Sequence, residues 1–118
     1  MLRPTLFSIP SSTELKITFN KDLSKTLSVE NFKIISVSGN VNDLETTRVV
    51  VTDNVAVVTT KPQIAGNYYI LKLVSTLASE FKSSDGIALI NDDISRDLYF
   101  IGLKNYNPVR DRLIQNTP

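Results

Sequence analysis

Between Arg48 and Thr60 the chain reads Arg-Val-Val-Val-Thr-Asp-Asn-Val-Ala-Val-Val-Thr-Thr, two β-branched runs that meet at Asp53-Asn54. Branching at Cβ restricts rotamers in a helix and packs well on a pleated surface, while Asp and Asn tolerate the backbone of a tight turn. The segment predicts a β-hairpin. A two-stranded hairpin is barely stable in water, so the rest of the chain has to supply more strands and a second layer to cover its apolar face.

It does so at short intervals. Leu15, Ile17 and Phe19 alternate with Lys16 and Thr18, the period of a strand with one buried face. Upstream, Thr5 to Ile9 ends at Pro10, which has no N–H to give a ladder and predicts a short edge strand. Lys21 to Ser28 is polar with isolated leucines, and Ser28 to Asn31 fits one helical turn. Phe32 to Val37 reads as a strand closed by Gly39-Asn40, with no clear pattern in Val41 to Glu45. After Gly66-Asn67, Tyr68 to Val74 is nearly continuous in apolar residues, the mark of a central strand in a sandwich interior. Thr76 to Phe81 is read as a short turn of helix, Ser83 to Gly86 as a turn and Ile87 to Ile90 as an extended piece. Arg96 to Leu103 is the last strand.

Seven or eight short strands without a long amphipathic helix predict an all-β fold, an antiparallel β-sandwich over residues 1–103. The predicted core comprises Leu15, Ile17, Phe19, Phe32, Ile34, Val57, Tyr69, Leu71 and Leu73. Neighbours on a strand face opposite ways, so with Tyr69 inside, Tyr68 stands on the outer face and hints at binding. Composition agrees: 33 of 118 residues are Val, Ile or Thr and only four are Ala.

The chain has no His, Cys or Trp. That removes Ser-His-Asp and Cys-His catalysis, imidazole bases, the usual zinc sites and disulfides. Asp85, Asp92, Asp93 and Asp97 lie close in sequence, but their spacing matches no calcium loop, and turn or capping roles account for them. Neither a metal nor a cofactor is expected, and no constellation supports an enzyme. Thirteen Lys and Arg against twelve Asp and Glu leave a net charge of +1, too balanced for a partner such as nucleic acid or a membrane surface. No segment resembles a secretory signal, and no apolar run approaches the ~18 residues of a membrane span. Met1-Leu2, with no purification tag in view, is read as a native start.

Residues 104–118 lack strand alternation and are read as a C-terminal arm. Tyr106, Arg110, Arg112, Leu113 and Ile114 are the expected partner-binding residues, because aromatic, aliphatic and Arg side chains are the usual anchors of interfaces.

The order of features resembles a bacterial immunoglobulin-like domain over about residues 12 to 90. Phe19 with Asn20-Lys21-Asp22 matches the family's first strand, Asn31-Phe32-Lys33-Ile34 its second signature, and Gly66, Tyr69, Leu71, Leu73, Asp85, Gly86 and Leu89 its closing segment. The resemblance implies an Ig-like sandwich in a bacterial surface or S-layer protein, or in a phage virion. The expected function is a non-enzymatic module of a phage virion (tail, baseplate or capsid-associated), made in the host cytoplasm and contacting other subunits, including copies of itself. The alternative is a carbohydrate- or receptor-binding module at the bacterial cell surface.

Overall fold

The computed structural model describes residues 1–89 and 97–103. Seven strands appear in chain order: β1 (Pro4–Ser11), β2 (Glu14–Phe19), β3 (Phe32–Ser36), β4 (Thr46–Thr52), β5 (Val55–Thr60), β6 (Tyr68–Leu73) and β7 (Asp97–Ile101). All strand pairs are antiparallel, and they form a four-stranded sheet β1-β2-β5-β4 and a three-stranded sheet β3-β6-β7. That is the A-B-E-D over C-F-G strand order of a constant-type immunoglobulin sandwich. The all-β, antiparallel sandwich read from the sequence is the fold observed.

Local chemistry sets the strand ends. β4 and β5 pair from Thr46↔Thr60 to Thr52↔Val55, and the turn between them holds Asp53 at φ 52°, a backbone that Asp adopts at low cost. β1 lies at a sheet edge, and its register against β2 shifts between Ser8 and Ser11, where Pro10 sits. The predicted turn before β3 is a 3-10 turn over Val29–Asn31. Gly86 closes the turn after Ser83 at φ 88°, which a side chain would strain.

The core fills the space between the sheets. Leu15, Ile17 and Phe19 face Phe32, Ile34, Tyr69, Leu71 and Leu73, all essentially solvent-free. One predicted core residue is misplaced: Val57 is half-buried on the outer side of β5, and Ala56 and Val58 point inward. Val55 to Val58 is apolar at every position, so the sequence offers no alternation from which to read the register.

Loops complete the core. Thr76 to Phe81 forms no helix, and Phe81 turns in from it, ring centroids 5.6 Å from Phe19 and 5.3 Å from Phe32. Leu2, Leu23, Leu27 and Leu44 are also buried. Leu44 bridges to Ile34 and so covers the β3 edge.

Asn31 is fully buried beneath this loop. Its Oδ1 accepts from the Ser28 amide at 2.9 Å and from Ser79 Oγ at 2.8 Å. Its Nδ2 donates to the carbonyls of Val74 at 2.9 Å and Ser79 at 2.8 Å. A single side chain thereby satisfies buried groups on three segments that no ladder pairs.

Candidate functional site

Strand register places nine side chains on the outer face of the three-stranded sheet. Ile34↔Leu71↔Leu98 and the neighbouring Tyr69↔Phe100 pair point inward, so the alternate positions point out. One outward row is charged: Lys33 opposes Lys72, which opposes Asp97, and Lys72 Nζ lies 2.9 Å from Asp97 Oδ2. The second row is Ile35, Ile70 and Tyr99. The third joins Tyr68 to Ile101 across β6 and β7, with Val37 beside Tyr68 through an amide that donates to the Tyr68 carbonyl at 2.9 Å.

Two of these three rows are apolar; Ile35 and Ile70 in them are half-buried and the other four side chains are exposed. Tyr99 is 70% exposed, Tyr68 61%, Val37 58% and Ile101 49%. A contiguous exposed apolar patch bordered by a charged row is a candidate interaction surface. The opposite outer face is more polar, with rows such as Ser8, Lys16, Val57 and Val50.

The inner face holds the patch rigid. Tyr69 stacks on Phe100 at 5.3 Å, Phe100 meets Phe7 of the other sheet edge-on at 5.7 Å, and the Tyr69 hydroxyl accepts the Ile64 amide at 3.1 Å. A cleft of about 340 Å³ lined by Val37, Tyr68, Ile70, Tyr99 and Ile101 runs across the face.

Tyr68 stands outside as the sequence predicts. The remainder of the patch was not anticipated, because the apolar run of β6 reads as a strand covered on both sides. The described residues supply no third layer, so half of that run faces outward. The partner-binding residues read from the sequence, Tyr106, Arg110, Arg112, Leu113 and Ile114, lie outside the described residues, as do Asp92 and Asp93.

Among the described residues, no three acidic side chains converge as a metal site would require. Asp97 is paired with Lys72, and Asp85 is bound by the Ser83 hydroxyl and lies 3.6 Å from Lys21. The Ser83 hydrogen bond, aided by Lys21, holds the Asp85 carboxyl below its usual range despite some desolvation.

No protein-family model matches the chain, and no curated protein matches it. Solved structures do. The N-terminal part of the bacterial S-layer protein SbsC aligns with 88% of this chain at a TM-score of 0.70 and 24% identity. The S-layer protein rSbsC(31-844) aligns with 91% of it, and domains 1-6 of the surface layer protein SbsC with 90%, each at a TM-score of 0.69 and 22% identity. This chain spans 24% of the first of those chains and 14% of the other two. The shared feature is the sandwich fold.

Proposed function

We propose that this protein is a non-enzymatic structural module of a bacterial surface protein, acting through contacts between its β3-β6-β7 face and neighbouring protein domains. The observation that carries the reading is the exposed patch of Tyr68, Tyr99, Ile101 and Val37 on a rigid sheet. Aromatic anchors flanked by charge are the composition of a protein-contact surface. The fold match to S-layer protein domains favours a bacterial surface over a phage virion. A sugar-binding role is the weaker alternative, since the two apolar rows offer only tyrosine hydroxyls to hydrogen-bond a glycan.

The test is the double variant Tyr68→Ser plus Tyr99→Ser. Both side chains point away from the core, so the variant should melt within a few degrees of wild type while losing concentration-dependent association. Association equal to wild type would refute the role of this face.

A further inference from the structure

β7 ends beside the patch, and hydrogen bonds hold its last described residues. Past Ile101 the β7 ladder continues, with the Gly102 amide donating to the Asn67 carbonyl at 2.8 Å and the Gly66 amide donating to the Gly102 carbonyl at 3.0 Å. The Leu103 amide then donates to Gln63 Oε1 at 2.9 Å. Gln63 is itself tied to the β1–β2 hairpin tip, its side-chain amide donating to the Ser11 carbonyl at 3.1 Å and its backbone amide to the Ser12 carbonyl at 2.8 Å. Leu103 is therefore drawn towards the opposite sheet and away from the outer face of β3-β6-β7.

The 15 residues beyond Leu103 carry Tyr106, Val109, Leu113 and Ile114, with Arg110 and Arg112 between them. Their chemistry complements the face. The apolar rows suit the aromatic and aliphatic side chains, and the β3 edge carries two exposed carboxylates, Asp43 and Glu45, with Lys33 and Lys61 beside them. There Asp43 accepts the Ser36 amide at 2.8 Å, and exposed Glu45 follows Leu44, which bridges to Ile34. Fifteen residues can span roughly 50 Å when extended, enough to reach across the face to Asp43 and Glu45.

We propose that residues 104–118 of one copy dock on the β3-β6-β7 face of a second copy. Tyr106, Leu113 and Ile114 pack on Tyr68 and Tyr99, and Arg110 or Arg112 pairs with Asp43 or Glu45. The proposal rests on reading that face as a contact surface. Donor and acceptor patches on one chain differ, so the contact is head-to-tail and propagates from copy to copy.

Complementation tests it with full-length chains in sedimentation equilibrium. An arm variant (Tyr106→Ser, Leu113→Ser, Ile114→Ser) keeps its face, and a face variant (Tyr68→Ser, Tyr99→Ser) keeps its arm. Each alone should be monomeric where wild type associates, and their equimolar mixture should form a one-to-one complex, weakened at least tenfold by Arg110→Glu plus Arg112→Glu in the face variant. An arm variant that associates like wild type overturns the proposal while leaving the face as the contact surface. A wild-type chain that stays monomeric while the arm variant associates means the arm covers its own face, and it too overturns the proposal. Absence of association in every chain overturns both readings.

Discussion

Tyr69 and Phe100 stack 5.3 Å apart with their planes 23° from parallel, and the strands that hold them inward turn Tyr68 and Tyr99 out to solvent. Strand geometry makes the two arrangements inseparable: one residue of slippage between β6 and the core would exchange buried and exposed rings. The inner stack thus fixes the outer patch. Tyr69→Phe, which removes the acceptor of the Ile64 amide and leaves the ring, should cost about 1 kcal/mol in urea unfolding and leave the patch in place.

The observed register of β5 makes neighbouring valines unequal. Val58→Ala should destabilise by about 1–3 kcal/mol, because its side chain is fully buried, whereas Val57→Ala on the outer side should cost less than about 1 kcal/mol. Equal losses in chemical denaturation would contradict that register.

The difference between β2 and β5 shows what the sequence makes legible. Lys16 and Thr18 interrupt Leu15, Ile17 and Phe19, and the polar breaks declare the buried side. Val55 to Val58 has no such break, so strand existence can be read but not orientation. Phe81, Leu23 and Leu27 lie in irregular segments whose burial depends on how the β2–β3 and β6–β7 connections pack, which no local period encodes. The outer patch is hidden for a related reason: a doubly apolar strand reads as buried until the layers are counted. Tyr68 beside Tyr69 was the one visible signal.

Asn31 joins Ser28, Val74 and Ser79 through four hydrogen bonds, and truncation would strand those buried partners. Asn31→Ala should lower stability by about 2–4 kcal/mol in chemical denaturation. Asn31→Asp should fail to rescue it, since a carboxylate cannot donate to the Val74 and Ser79 carbonyls.

Acid should weaken the loop at Asp85. Its folded-state value lies below the ordinary aspartate range, so its contribution is complete above that range and is lost as pH falls below about 4. Urea midpoints measured against pH should show a shallower acid limb in Asp85→Asn and in Ser83→Ala than in wild type. An unchanged slope in both would mean that the hydrogen bond does not persist in solution.

Gly102 fixes the exit from β7. A Cβ at this position would fall on the Ile64 carbonyl oxygen and press on the Tyr69 ring. Gly102→Ala should therefore destabilise by about 1–3 kcal/mol, read from thermal or chemical unfolding. A neutral result would mean that the Ile64 segment yields freely.

Tyrosine-selective chemical modification, with reaction rates resolved by residue, tests the central claim most directly. In dilute solution Tyr68 and Tyr99 should react quickly and buried Tyr69 hardly at all. With rising protein concentration the account predicts that Tyr68 and Tyr99 become protected together while Tyr69 stays unreactive. Tyr68 and Tyr99 rates that are unaffected by concentration, in a chain shown to associate, would place the contact elsewhere and contradict the account.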